Sequence, residues 1–218
     1  MTGSNIPWQE ASMASLDLEG TGAQDRDDEA ILEISVVPIT GGQPDMASAY
    51  CTLVNPQRAV PRRPWISPGL TTTALAGAPT ITDIEPELAR RLDGAFIIGH
   101  NVGVDWRLLH RKCPAIHPAG LIDTLRLARL SHPGEKGNNL AKLLDRHQLT
   151  GTVTQLAQDS QPHRALWDTT GAAMLLNTLA AALFPNGSID VLLSAAGIGM
   201  GSDTSPRAEK AIQGELFS

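Results

Sequence analysis

SLDLEGTG, residues 15–22, sets Asp17 and Glu19 two positions apart at the end of an apolar run and follows them with two glycines. The run that carries them, MASLDLE, has the composition of a strand, where side chains at i and i+2 share a face with Cα atoms roughly 6.5 Å apart. Asp17 and Glu19 therefore project together. Two carboxylates so placed repel each other and are costly near a core unless a cation or a hydrogen-bond network compensates. An isolated Asp-x-Glu is better explained by one acid capping the turn at residues 20–22, so the pair has to be read with the rest of the chain.

Two more β-rich runs follow, AILEISVVPI and ASAYCTLVNP, and the turn-forming stretches GTGAQDRDDE and TGGQPD separate the three. This pattern predicts an antiparallel meander. Residues 1–12 read as a loose lead-in, and the Pro-, Thr- and Gly-rich segment 56–80 as an ordered loop with short helical turns. Ile81, Ile84, Leu88 and Leu92 then repeat at helical spacing. AFIIGHN reads as a buried strand, VDWRLLHRK as a helix, GLID as a strand and TLRLARL as a helix. Asn138 is placed to cap a helix carrying Leu140, Leu143 and Leu144, and LWDTTGAAMLLNTLAAALF is a long apolar helix stopped by PNG. Strands first and β/α alternation afterwards predict an α/β fold, a mixed sheet with helices on its faces.

At 218 residues the chain has room for one sizeable domain. That domain is expected over residues 13–184, with 185–218 as a C-terminal extension that includes a short helix within 188–199. Cys51 and Cys113 offer no disulfide or zinc spacing, the first basic residue is Arg26, and no apolar run reaches spanning length. A soluble protein in a reducing, cytoplasmic setting is the expectation. A net charge of −6 disfavours general electrostatic binding to nucleic acid unless metal ions offset acids gathered at one site.

Other acids stand where they could join Asp17 and Glu19. In IIGHNVGVDWRLL the strand ends at His100 and Asn101, and Asp105 opens the next helix, where a carboxylate also suits the helix dipole. In QPHRALWDTTGAAML, His163 precedes Asp168 by five residues. On a regular helix five steps separate two side chains by about 140°, so the two share a site only if His163 lies on the loop before the helix, a boundary that Pro162 favours. A strand, a strand-to-helix junction and a helix can converge at one end of a sheet. Four carboxylates there need about two divalent cations, and oxygen-only ligation suits Mg²⁺ or Mn²⁺. Such a pair clamps the in-line attack of water on a phosphodiester, with a nearby histidine to take the proton.

The ordered set D17-x-E19, H100-N-x-x-x-D105 and H163-x4-D168, with LIDTLRLAR and NNLAKLLDRHQL between the last two, resembles the DEDDh 3′→5′ exonucleases. The resemblance covers roughly residues 13–184. It implies an RNase H-like fold and release of nucleoside 5′-monophosphates from the 3′ ends of single-stranded DNA or RNA. It further implies Asp17, Glu19, Asp105 and Asp168 as ligands of two Mg²⁺ or Mn²⁺ ions and His163 as general base. Gly20, Thr21, His100, Asn101, Arg164 and Trp167 are the expected substrate contacts.

Departures from the family pattern bear on the substrate. Gly20 and Ala23 stand where a hydroxyl and a bulky apolar residue are usual, and Val104 where Phe is usual. Stacking on the terminal base would then fall to Trp65, Trp106 or Trp167, with Trp167 expected nearest the site. Arg62, Arg63, Arg107, Arg111, Lys112, Arg126, Arg129 and Arg164 are candidate phosphate contacts, although a solvated face serves each equally. The tail ends in Gln213-Gly-Glu-Leu216-Phe217, which resembles the peptides by which bacterial polymerases and DNA repair proteins dock into the sliding clamp. Two other functions fit the sequence: a phosphodiesterase for very short oligonucleotides or nucleotide signals, and a non-catalytic module tethered to a clamp or polymerase.

Overall fold

The computed structural model describes residues 6–200. Its first strand, β1 (Met13–Gly20), pairs antiparallel with β2 (Ile31–Thr40), with Asp17 opposite Ser35 and Glu19 opposite Glu33. The outer edge of β2 carries both the short β3 (Gln43–Pro44) and β4 (Tyr50–Leu53). The segment after β4 contains only one helical turn, α1 (Thr72–Leu75), before α2 (Ile81–Leu92), whose Thr80–Asp83 capping box fixes its start. The other edge of β1 takes β5 (Phe96–Gly99) in parallel. α3 (Gly103–Lys112) then leads to β6 (Gly120–Asp123), parallel to β5. Helices α4 (Thr124–Ser131), α5 (Leu140–Arg146), α6 (Thr150–Leu156), α7 (Ala165–Leu183) and α8 (Ile189–Ala196) follow, and β7 (Gly197–Ile198) closes against β6. The described strands form one seven-stranded mixed sheet, ordered β3-β2-β1-β5-β6-β7 with β4 also on β2. The expected meander and the β/α alternation are both present.

Alternation along β1 sorts its side chains into two cores. Ala14 and Leu16 face α2 and α3, packing with Leu88, Ile97 and Leu109. Met13 faces α7, and Ser15 on the same side donates its hydroxyl to the Thr169 carbonyl in that helix at 2.9 Å. Asp17 and Glu19 continue this face, so they point toward the start of α7. α7 is apolar on every side because the sheet covers one flank and α4, α5 and α6 the others.

The ends of the chain's body differ from the sequence reading. Trp8 is fully buried and its indole donates to the Phe184 carbonyl at 3.1 Å, so the lead-in is anchored from Pro7 onward. Residues 185–200 are likewise part of the domain: Ile189, Leu192 and Ala196 complete the core beneath α4 and β6. The cap of α5 is Asn139, which accepts from the Lys142 amide at 2.9 Å, rather than Asn138. Helix α6 has no counterpart in the sequence reading. Gln213, Leu216 and Phe217 lie outside the described residues.

Candidate active site

β1 and β2 slip in register between Glu19 and Gly20, where Gly20 pairs with Ile31, and the two acids of β1 lie at this end of the strand. Asp168, in the first turn of α7, meets them there. One carboxylate oxygen from each of Asp17, Glu19 and Asp168 lies within 4.8 Å of the others, and all three residues are half-buried. Asp105, in the first turn of α3, approaches from the other side of β1 and accepts the Leu18 amide at 3.3 Å. The four acids line one cavity of about 1060 Å³.

His163 lines the same cavity, exposed and outside α7, which starts at Ala165. Its backbone holds φ at 65°, an uncommon value for a residue with a side chain, and its amide donates to Asp168 Oδ1 at 3.4 Å. The loop placement required for His163 and Asp168 to share a site is therefore present.

Burial and mutual repulsion raise the proton affinity of the acids. Asp17 sits well above the carboxylate range, first because it is buried and then because Asp105, Asp168, Glu19 and Glu33 face it. Burial takes Glu19 up to about 7, against the hydrogen bond from Ser67. Burial takes Asp105 to about 8 and Asp168 to about 7. No lysine or arginine forms an ion pair with any of the four among the described residues. A tight set of oxygen donors with no protein counter-charge fits hard divalent cations.

Several supports for the site come from residues far away in sequence. Glu33, opposite Glu19 on the same face, would add another like charge. Arg164 answers it through two bonds of 2.7 Å. Arg164 is thus bound to a structural acid, in place of the expected substrate contact. Ser67 donates to Glu19 Oε2 at 2.7 Å. Its loop is held by Trp65, whose indole donates to the Thr21 carbonyl at 3.1 Å, and by Arg58 and Arg63, which share Asp25. Gly22, at φ 96°, lets the Trp65 ring approach, because a Cβ there would stand 2.7 Å from Nε1.

The other expected contacts divide clearly. Gly20, His100 and Asn101 line the cavity. Thr21 is fully buried and its hydroxyl accepts the Ala30 amide at 3.1 Å, so its side chain holds the turn. Trp167 is 1% exposed in the α7 core with its indole on Thr154; the helix turn that aims Asp168 at the cavity aims its neighbour away. Trp106 is buried against His110. Trp65 is the tryptophan in the cavity wall, with Val104 also lining it. Burial lowers His100 to about 4, so the ring is neutral. It bridges Thr124 Oγ1 at 3.0 Å and the Asn138 carbonyl at 2.8 Å.

An antiparallel meander running into parallel β/α units, with acids converging at the end of the central strand, defines an RNase H-like nuclease fold. The exonuclease family model, of the RNase T type, matches residues 15–176. A DNA polymerase III subunit epsilon-like protein of Rhodobacter capsulatus is 28% identical over 184 residues, covering 83% of this chain and 25% of that protein. The DNA polymerase III subunit epsilon of Aquifex aeolicus is 27% identical over 159 residues, 71% of this chain and 73% of its own. Among solved structures, exonuclease X in complex with 5′ overhanging duplex DNA matches with a TM-score of 0.58 at 25% identity, over 78% of this chain and 92% of that one. The chain belongs to the exonuclease family. It spans between 16% and 27% of the length of several curated relatives that it matches.

Proposed function

We propose that the protein is a divalent-metal-dependent 3′→5′ exonuclease that releases nucleoside 5′-monophosphates from single-stranded ends. The observation that carries this reading is the meeting of Asp17, Glu19 and Asp168 within 4.8 Å, in a cavity that Asp105 and His163 also line. Those four acids would hold two Mg²⁺ or Mn²⁺ ions, which when bound supply charge neutralisation at the phosphate and a more acidic water. His163, free of the helix and exposed to the cavity, takes the proton from the attacking water. Asp168 restrains its backbone. Trp65 and Val104 offer the terminal base an apolar wall, and Gly20 lines the cavity at the strand end.

The test is cleavage of 5′-labelled single-stranded DNA and RNA after metal removal and then with Mg²⁺ or Mn²⁺ restored. A ladder shrinking from the 3′ end, strictly dependent on the metal and yielding 5′-monophosphates, is expected. Internal cuts, or cleavage indifferent to chelator, would refute the reading. Cleavage confined to dinucleotides would instead favour the short-oligonucleotide phosphodiesterase. A clamp contact through Gln213, Leu216 and Phe217 and a cytoplasmic role in DNA repair remain part of the proposal; no helix among the described residues is long and apolar enough to cross a membrane.

A further inference from the structure

The cavity that holds the acids is also lined by basic side chains, and the acid site alone does not account for them. Lys136, in the loop between α4 and α5, Lys142, in α5, and Arg129, in α4, all line the cavity and are exposed. Other candidate phosphate contacts are engaged elsewhere. Arg63 pairs with Asp25, Arg107 and Arg111 with Glu29, and Arg164 with Glu33, while Arg126 donates to the Gly197 carbonyl. Lys136, Lys142 and Arg129 form no salt bridge among the described residues. Glu135, next to Lys136 and also in the lining, is paired with Arg146 at 2.9 Å, and Asp145, three residues after Lys142 in α5, forms no salt bridge with it among the described residues.

We propose that Lys136 and Lys142, backed by Arg129, form a phosphate-binding wall for the nucleic-acid strand upstream of the nucleotide being removed. The proposal rests on the exonuclease reading. Cations held by the acid cluster would offset the charge of the scissile phosphate, but each further phosphate brings another negative charge toward a protein whose net charge is −6. A cavity of about 1060 Å³ has room for more than the terminal nucleotide. The wall is fixed to the sheet that carries the acids. His100, at the end of β5, donates from Nε2 to the Asn138 carbonyl, the Asn138 amide group donates to the Glu135 carbonyl at 3.2 Å, and Asn139 caps α5. These bonds tie the loop that carries Lys136 and the start of α5 to the end of β5.

The test is equilibrium binding of a fluorescein-labelled single-stranded thymidylate octamer, read by anisotropy in Ca²⁺ over a salt series, with the octamer checked for integrity after each reading. Lys136→Ala/Lys142→Ala should weaken binding on the order of tenfold and lower the salt slope by about 1.4, at roughly 0.7 per lost phosphate contact. Lys136→Arg/Lys142→Arg should keep wild-type affinity. Wild-type affinity and slope in the alanine double variant would overturn the wall, as would an equal loss in the arginine variant. Binding requires no turnover, so the two readings fail separately. A wild type that binds the octamer through these lysines but cleaves nothing would leave the wall standing and remove the exonuclease.

Discussion

Trp167 and Trp65 show how little a side chain's position in the sequence says about what it touches. Trp167 is adjacent to Asp168, yet 100° of helical turn sends its ring into the core. Trp65 is remote from every acid in sequence and reaches the cavity because its indole is bonded to the turn after β1. The two substitutions should therefore separate cleanly. Trp167→Ala empties a packed site and should cost about 3–5 kcal/mol, seen as a fall in the denaturant midpoint. Trp65→Ala should leave most of the stability and raise KM for oligonucleotides several-fold, since base stacking contributes about 1–3 kcal/mol. A wild-type KM with Trp65→Ala would remove that ring from the substrate wall. Arg164 and Thr21 follow the same logic as Trp167: each touches structure, and neither side chain faces the cavity.

Three elements, β1, α3 and α7, each bring carboxylates to one point, and the resulting repulsion is stored in the fold. In the unfolded chain these acids ionise near their ordinary values of 3.8 to 4.5, whereas in the fold Glu19 and Asp168 hold their protons to about 7 and Asp105 to about 8. The folded protein therefore binds more protons across that interval, and the stability this contributes is lost as pH rises through it. Metal-free protein should melt at progressively lower temperature between about pH 5 and pH 8.5. Added Mg²⁺ or Mn²⁺ should restore the melting temperature, with a larger increment at pH 8 than at pH 6, because cations replace the protons. Calorimetric scans across that range check it; a melting temperature of the metal-free protein that climbs with pH would contradict the clustering. Asp105→Asn offers an independent check, since removing one of the repelling charges should flatten the pH dependence.

Much of the fold and the acid set was legible because the informative residues break a local pattern. Asp17, Glu19 and Asp168 are acids inside apolar runs, and the loop position of His163 followed from helical periodicity and Pro162. The missed features depend on partners distant in sequence. Trp8 and Phe184 are joined across 176 residues, and nothing near Trp8 announces a core position. Glu33 was visible as a lone acid in an apolar strand, but its role emerges only from the β1–β2 register and from Arg164. Ser67 carries no local signal at all. Adjacent Asn138 and Asn139 could not be told apart as caps, and the Gly- and Thr-rich α6 has weak helix propensity of its own. The most direct measurement is a Mn²⁺ titration followed by single-turnover cleavage with three proteins: wild type, His163→Ala and Asp168→Asn. His163→Ala should bind Mn²⁺ as the wild type does and cleave about 10²–10⁴-fold more slowly, while Asp168→Asn should lose affinity for the metal and cleavage together. An Asp168→Asn variant that binds and cleaves like the wild type, or a His163→Ala variant with undiminished cleavage, would contradict the mechanism.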